Sequence, residues 1–390
     1  MGSESPGGEG MISGTPALSV LVPVYNGRNV LPRALEALMR RDLPRDQWEL
    51  IVVDDASSDD TAEIGARFAD VVVRLPGKPH GPAYARNRGC EAARGDILIF
   101  VDADVCVHPP TLGRFLALFQ AHPDVGAIFG SYDDSPPAYG LVSQYRNLLH
   151  HYVHHRNAGD AETFWAGCGA VRRQLFEEYG KFDEWHYFRP QIEDIELGHR
   201  IRAHGHRILL RPEIQCTHLK RWTLKNVITT DLHDRGVPWM RLLVQQGDKS
   251  SNDVLNVRLS EKVNTVLVWV ALACFLVAIA TRNWLWAVGG LVIVGWVLFT
   301  NRGMYRFFWG RGWKLALAAV PLHLLYYFLN GISAGMGILL HHLVGEPQPP
   351  ATVQAFAEVG IETWPPVPTR VKASPWNAGT GGSPPSPGGH

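Results

Sequence analysis

The stretch Ile97-Leu98-Ile99-Phe100-Val101-Asp102-Ala103-Asp104 is a short apolar run that ends abruptly in two carboxylates. A second apolar run, residues 50–53, ends in the same way at Asp54 and Asp55. Apolar runs of this length that are bounded by polar residues are consistent with buried strands, whereas helices are usually longer. We therefore expect two strands of one sheet, each followed by acidic side chains.

Helical spacing of apolar residues separates these strands from their neighbours. Leu18–Val24 is a further apolar run, and between it and residues 50–53 apolar side chains recur every three or four positions. The alternation continues with helices over residues 61–69 and 83–93 and strands over residues 71–75 and 97–101. Repeated strand–helix units predict an α/β fold with a doubly wound, mostly parallel sheet. Such sheets bind ligands at the carboxyl ends of their strands, where the acidic pairs lie.

Asp102 and Asp104 are candidates for a metal site. A single residue separates them just after a strand, so both carboxylates can turn toward one ion. Mg²⁺ prefers such oxygen ligands together with substrate phosphates. The pattern alone is weak, because two solvated loop acids would look the same. Its position at a strand end, with a second acidic pair at another, favours the metal.

Several segments, in consistent order and spacing, are similar to the motifs of one enzyme family. They are Val22-Pro23-Val24-Tyr25-Asn26, Val52-Val53-Asp54-Asp55-Ala56-Ser57-Ser58-Asp59-Asp60-Thr61, Ala85-Arg86-Asn87 and Asp102-Ala103-Asp104. Over roughly residues 18–240 the chain resembles the inverting glycosyltransferases of family 2. The resemblance implies the GT-A fold, a nucleotide-diphosphate sugar donor and a divalent metal ion, Mg²⁺ or Mn²⁺.

The resemblance also implies roles for individual residues. Asp102 and Asp104 would serve the ribose, the diphosphate and the metal. Gly167, in the small-residue loop of residues 165–170, would let the backbone approach the donor sugar, because glycine has no Cβ. The other donor-binding positions are Pro23, Tyr25, Asp54, Asp55 and Arg86. For Pro23 and Tyr25, a strand end followed by a packed ring is the alternative.

The stretch Gln191-Ile192-Glu193-Asp194-Ile195-Glu196-Leu197 resembles the family's motif for the catalytic base. A sugar hydroxyl attacks poorly until a positioned carboxylate takes its proton. The match assigns this role to Asp194, with Glu193 beside it as a second catalytic residue. Helical spacing downstream places Asp194 near a helix N-terminus, where the helix dipole favours the ionised form. The alternative is a set of ordinary acidic residues in a first helical turn.

Histidines raise two further hypotheses. His218, in Cys216-Thr217-His218-Leu219-Lys220, lies where enzymes of this fold often place a late metal ligand, although a structural role is equally plausible. The second hypothesis concerns a cluster of four residues, His150, His151, His154 and His155. Their spacing would suit zinc on one helix face, but no carboxylate motif accompanies it. We expect this helix to line the acceptor cleft or to face lipid headgroups.

Bulk composition argues against other classes of function. Basic and acidic residues number 37 each, so no overall charge attracts nucleic acid. The five cysteines include no CxxC pair, which argues against a disulfide framework or a structural zinc site. A reducing compartment is therefore expected.

Three uncharged runs predict a membrane anchor. Residues 263–280, Trp284–Thr300 and residues 315–340 approach or exceed the ~20 apolar residues that cross a bilayer. A buried helical hairpin in a soluble domain would explain only the shorter pair. The link after the second run is basic, whereas the link after the first carries only Arg282. The positive-inside rule then predicts an integral protein of the plasma membrane with a cytoplasmic catalytic domain and an external tail.

The predicted organisation has five parts. They are a disordered lead at residues 1–17, a catalytic domain at 18–219, an amphipathic interfacial segment at 220–262, three transmembrane helices at 263–344 and a disordered Pro/Gly-rich tail at 345–390. The interfacial segment interleaves basic and aromatic residues, as helices in a headgroup layer do. Residues 235–239 depart at most positions from the QxxRW motif of processive synthases.

These patterns favour transfer of single sugars to a membrane-associated acceptor. The acceptor would be a polyprenyl phosphate, another lipid or a saccharide, in the synthesis of cell envelope polysaccharide or glycolipid. A processive polysaccharide synthase is one alternative, for which three spans are few. A catalytically silent nucleotide-binding scaffold is another, and the intact acidic motifs count against it.

Overall fold

The computed structural model describes residues 15–246, 259–345 and 370–372. Its ten strands form one sheet. They are β1 Leu18–Val24, β2 Trp48–Asp54, β3 Val71–Arg74, β4 Ile97–Val101, β5 Val105–Val107, β6 Val125–Tyr132, β7 Gly159–Ala161, β8 Cys168–Arg172, β9 Arg207–His218 and β10 Arg370–Lys372.

Helices surround this sheet and follow it along the chain. Those around the sheet are α1 Leu31–Met39, α2 Thr61–Gly65, α3 Pro82–Ala92, α4 Thr111–Ala121, α5 Leu141–Arg156, α6 Arg173–Glu178 and α7 Glu193–Ala203. Those that follow are α8 Leu224–Thr229, α9 Val237–Gln246, α10 Leu259–Thr281, α11 Trp284–Thr300, α12 Arg302–Trp309 and α13 Trp313–Val344. A π-helical segment, Thr230–Gly236, joins α8 to α9.

The sheet is mixed. Its order is β10, β3, β2, β1, β4, β8, β6, β9 and β5, with β7 also beside β9. From β3 to β4 the strands run parallel, as the strand–helix alternation predicts. Strand β8 then lies antiparallel between β4 and β6, and β9 pairs in parallel with β6. The predicted α/β class is confirmed, while the parallel pattern belongs to the first half of the domain.

The central strands are buried on both faces. Every residue of β1, β2 and β4 is buried, because helices cover each side of the sheet. Leu31, Leu35 and Leu38 of α1 pack on one face, whereas α3 covers the other. The acidic residues that follow these strands therefore lie at one edge of a rigid core.

The three apolar runs are helical, as predicted. Helices α10, of 23 residues, and α13, of 32, are each long and apolar enough to cross a membrane. Helix α11 is shorter, and with α12 it forms a pair bent by 70° that would make a third span if the pair counts as one. The prediction of three spans therefore requires that α11 and α12 together form one span.

The chain ends and the interfacial segment differ in part from expectation. Residues 1–14 of the predicted lead lie outside the described residues. At its end, the Ala17 N–H donates a hydrogen bond to the Gln47 carbonyl beside the sheet. Of the predicted tail, the structure describes only residue 345 and strand β10. Strand β10 pairs with β3. In the interfacial segment, Trp222 is buried and Leu242 packs against the catalytic domain. That segment therefore turns part of its apolar surface inward.

Candidate functional site

A cavity of about 1120 Å³ lies at the carboxyl ends of β1, β2 and β4. Helices α10, α12 and α13 contribute to its far wall. The lining includes ten of the residues singled out in the sequence, namely Pro23, Tyr25, Asp55, Arg86, Asp102, Asp104, Gly167, Glu193, Asp194 and His218. Residues that are up to about 200 positions apart in sequence thus meet around one space.

Asp54 is the exception among the predicted site residues. Its carboxylate accepts a hydrogen bond of 3.1 Å from the Ser57 N–H and does not line the cavity. Asp55 does line it, and accepts bonds of 2.9 and 2.8 Å from the N–H groups of His80 and Gly81. Successive side chains of an extended chain point to opposite sides, which fits one of the two neighbours lining the cavity while the other points into the turn. In this structure Asp54 shapes the turn after β2, and its predicted donor contact stays a prediction.

Asp104 and His218 lie side by side where β5 pairs with β9. His218 Nε2 is 3.5 Å from Asp104 Oδ2. The other ring nitrogen, Nδ1, is 2.7 Å from Asn147 Oδ1, and the ring stacks on Tyr132 at 4.3 Å between centroids. Burial raises the pKa of Asp104, but the hydrogen bond to His218 and the charges of His218 and Lys220 outweigh it and lower that pKa overall. Asp104 is thus held as a carboxylate.

Arg86 bridges the donor side of the cavity to the base side. Its Nη2 donates to Asp102 Oδ1 and its Nη1 to Glu193 Oε1, both at 2.8 Å. Burial alone would lower the pKa of Arg86, but the carboxylates of Asp102, Glu193 and Asp194 raise it. Glu193 is accordingly paired with a buried guanidinium, an arrangement that suits a positioning role. Its predicted catalytic role stays a prediction.

Asp194 lies in the first turn of α7 and faces the cavity. Its Oδ2 accepts a 3.0 Å hydrogen bond from the Ala166 N–H. Burial and the charge of Glu193 raise the pKa of Asp194 to about 6, against the opposing effects of Ala166, Arg86 and Arg235. The helix N-terminus is where the sequence places it, but desolvation overcomes the expected preference for the ionised form. Such a pKa suits a general base that works near neutral pH.

The predicted metal ligands are only partly assembled. Across the described ranges, no three His, Cys, Asp or Glu side chains gather closely enough to hold an ion. Asp104 and His218 nevertheless fit a divalent metal, since one ring nitrogen meets the carboxylate while Asn147 orients the other, as ligand histidines require. Asp102 is two residues away and is held by Arg86. The ligand roles of Asp102, Asp104 and His218 stay predictions.

Helix α5 lines the cavity, as expected of its histidines. His150 and His154 face inward, and both contact the ring of Trp165. Burial lowers the pKa of His154 to about 3 and that of His150 well below its ordinary value. His154 Nδ1 is bonded to the Gly130 carbonyl at 3.1 Å. These neutral rings form an aromatic wall.

Gly167 has a packing role in this structure, while its predicted role beside the donor sugar stays a prediction. A Cβ there would lie 2.5 Å from the Trp165 ring, so the absent side chain makes room for the tryptophan. The predicted loop is also shorter, because Cys168 begins β8. The site thus uses Gly167 to seat an aromatic wall residue.

Some lining residues were not predicted. Asn147 and Tyr132 hold His218, and no local motif marks them. Another set belongs to the C-terminal helices, namely Asn264, His323, Tyr326 and Asn330, together with Asn301 between α11 and α12. Polar residues within apolar helices often mark a functional site, and this signal was present in the sequence.

Comparisons with known proteins agree with the motifs. Residues 19–180 match the family model described as glycosyl transferase family 2. Glycosyltransferase AglE of Haloferax volcanii is 27% identical over 181 residues, which are 44% of this chain and 58% of that protein. Probable glycosyltransferase YdaM of Bacillus subtilis is 26% identical over 210 residues, 50% of this chain and 49% of that protein. The chain thus spans about half the length of these curated relatives.

One solved structure supports the fold. The mannosyltransferase PcManGT of Pyrobaculum calidifontis, in complex with GDP-Man and Mn²⁺, superposes with a TM-score of 0.50 at 18% identity. The match covers 86% of this chain and 89% of that one. The mixed sheet thus has the GT-A fold that the resemblance implied, and the C-terminal helices follow it.

Proposed function

We propose, from the premise that residues 19–180 form a glycosyltransferase family 2 domain, that this enzyme transfers a sugar from a nucleotide-diphosphate sugar to a membrane-associated acceptor with inversion. One observation carries the proposal. Asp194, a carboxylate with a raised pKa, opens onto the same cavity as Asp104 and His218, and the apolar helices close the far side. The predicted base, the predicted metal ligands and the apolar helices thus line one cavity.

The donor would occupy the end of the cavity formed by the strands. Pro23 and Tyr25 line it after β1, and Tyr25 is 52% exposed, so its ring is available to a base or ribose. Asp55 secures the loop of residues 79–82 that forms the facing wall. A divalent metal, Mg²⁺ or Mn²⁺ on Asp104, His218 and Asp102, would supply positive charge to the departing diphosphate.

Asp194 would act on the acceptor. Its carboxylate takes the proton of the acceptor hydroxyl, and that oxygen forms the new bond to the anomeric carbon. The bond from the same carbon to the diphosphate breaks on the opposite face, which inverts the configuration. Ala166 and Arg86 hold Asp194 and Glu193 in place for this step. With a pKa of about 6, Asp194 is mostly ionised at neutral pH and can still accept a proton.

The apolar helices would attach the enzyme to a membrane with its catalytic domain in the cytoplasm. Their outer surfaces expose large apolar side chains such as Leu276, Ile279 and Leu291. In the basic link, Arg311 pairs with Asp134 of the catalytic domain at 2.6 Å. The link and the catalytic domain therefore lie on one side, which the positive-inside rule makes cytoplasmic.

The acceptor would be a lipid or a polyprenyl phosphate. The cavity runs from Asp194 to Asn264 of α10 and Asn330 of α13, so a molecule held by the helices can reach the base. Arg235 and Lys220 also line this path and could accompany an anionic group. A saccharide already linked to lipid fits the same description.

A nucleotide-release assay tests this function. The full chain in detergent or vesicles is given UDP-, GDP- and dTDP-sugars with a lipid extract. We expect release from at least one donor, dependent on the extract, abolished by a chelator and restored by Mg²⁺ or Mn²⁺. Release without any metal would contradict the roles of Asp104 and His218. Donor binding without release from any sugar nucleotide would instead indicate a silent scaffold.

A further inference from the structure

Helix α13 has two distinct faces. One side is buried along the helix, from Ala316 and Ala319 through His323 and Tyr327 to Gly337. The opposite side exposes large apolar residues, among them Leu317, Leu339 and Leu343, which are 60%, 56% and 74% exposed. A helix that crossed a bilayer alone would instead meet lipid on every side.

The first turns of α13 pack on the catalytic domain. Leu315, Ala316 and Ala319 share a buried cluster with Tyr145 and Leu148 of α5. Helix α5 follows the central strand β6 and lines the cavity. The start of α13 is therefore fixed at the level of the catalytic site.

The last turns of α13 are tied to the same domain. A Cβ on Gly337 would lie 2.5 Å from the Met240 Cβ, so α9 and α13 touch there. Arg241 of α9 donates a 2.5 Å hydrogen bond to the carbonyl of Gly345, just after α13 ends. Helix α9 in turn packs through Leu242 on Ile192, two residues before Asp194. The first turns of α13 thus contact the catalytic domain directly, and its last turns reach that domain through α9.

These contacts conflict with a transmembrane path. At 1.5 Å per residue, a helix of about 32 residues is ~48 Å long, more than the ~30 Å hydrocarbon core. If α13 crossed the bilayer, Tyr145 at one end and Ile192 beyond the other would lie near opposite surfaces. Both belong to one sheet domain with many ion pairs, which a bilayer would not admit.

We propose that α13 lies along the membrane surface as an interfacial helix and walls the active site, while the α10–α11 hairpin alone crosses the bilayer. The proposal rests on the proposed membrane attachment but not on the catalytic activity. The apolar side of α13 would enter the boundary between headgroups and acyl chains, as amphipathic interfacial helices do. Its other side places His323 and Asn330 in the cavity, so a lipid acceptor can pass from the bilayer along α13 to the base.

The tail distinguishes the two arrangements. An even number of crossings returns residues 345–390 to the side of the catalytic domain, whereas three spans place them opposite. Cysteine labelling in sealed vesicles measures this. Cys90, Cys168 and Cys216 are buried, so only Cys106 and Cys274 need replacement before reporters are added.

The reporter is Ser386→Cys, probed with a membrane-impermeant maleimide. Glu178→Cys on the exposed surface of the catalytic domain and Arg282→Cys between α10 and α11 mark the two sides. We expect Ser386→Cys to label together with Glu178→Cys and not with Arg282→Cys. Labelling together with Arg282→Cys would overturn the proposal. A fluorescent protein fused to the C-terminus of the unaltered chain repeats the test without the cysteine replacements.

A cross-link tests the docking itself. Met240→Cys with His341→Cys should react with a short bismaleimide in intact membranes, because His341 lies one helical turn after Gly337 on the same face of α13 and, unlike Gly337, already carries a side chain. The matched pair Met240→Cys with Leu339→Cys, on the outer side of α13, should not. If neither pair cross-links, α13 leaves the catalytic domain in the membrane and the proposal is wrong. If the chain stays in the supernatant when membranes are pelleted, the proposed attachment fails as well.

Discussion

Replacing Asp194 with asparagine is expected to lower the turnover number roughly 10²- to 10⁴-fold while nucleotide-sugar binding persists, because the acceptor hydroxyl loses its base. Asparagine keeps a side-chain oxygen that can accept the Ala166 N–H, so the site retains its shape. Single-turnover kinetics with donor in excess, together with donor titration, separate the chemical step from binding. An Asp194→Asn enzyme that binds donor and retains most of its turnover would show that another group is the base.

The same prediction includes a pH profile. Asp194 has a pKa raised to about 6, so the basic form grows as pH increases through that value. The rate constant kcat/KM of the wild type should therefore rise along a limb near pH 6, and the variant should lack this limb. Glu196→Gln is the matched control, since Glu196 lies on the same helix but pairs with Arg200 outside the cavity.

Replacing Arg86 with glutamine is expected to lower the free energy of unfolding by about 3–5 kcal/mol, because Glu193 would be left buried without its cation. Arg86 and Glu193 are 5% and 6% exposed at the side chain, so water cannot readily replace the lost partner. Thermal unfolding in detergent, followed by tryptophan fluorescence, measures the change. The pH at which kcat/KM rises should also be higher in this variant, since Arg86 lowers the pKa of Asp194 in the wild type.

A double-mutant cycle checks the cause. Arg86→Gln with Glu193→Gln removes the buried charge together with its partner, so the double variant should lose less stability than the two single losses combined. Arg28→Gln breaks an exposed pair with Asp60 and should change the melting temperature little. If the two single losses in the free energy of unfolding simply add in the double variant, Arg86 and Glu193 do not stabilise each other.

Local sequence pattern was sufficient to predict where the strands end and that the acidic residues after them meet at one edge of the sheet. Asp55, Asp102 and Asp104 follow short apolar runs, and parallel strands must deliver such residues to one edge. Pattern could not decide which of Asp54 and Asp55 faces the cavity, because that depends on the register of β2 against its neighbours. Nor could it show that Gly167 makes room for Trp165, a contact set by packing.

The motif that ends in Asp102 and Asp104 was determined by the sequence, together with the α/β class, the helix that begins at Glu193 and the apolar helices. These features follow from short-range periodicity and from a small set of turns. Tertiary structure alone decided that Arg86 joins Asp102 to Glu193, that burial raises the pKa of Asp194 and that the first turns of α13 dock on α5 of the catalytic domain. Desolvation, ion pairing and helix docking depend on residues far apart in the chain, and no local pattern encodes their final distances.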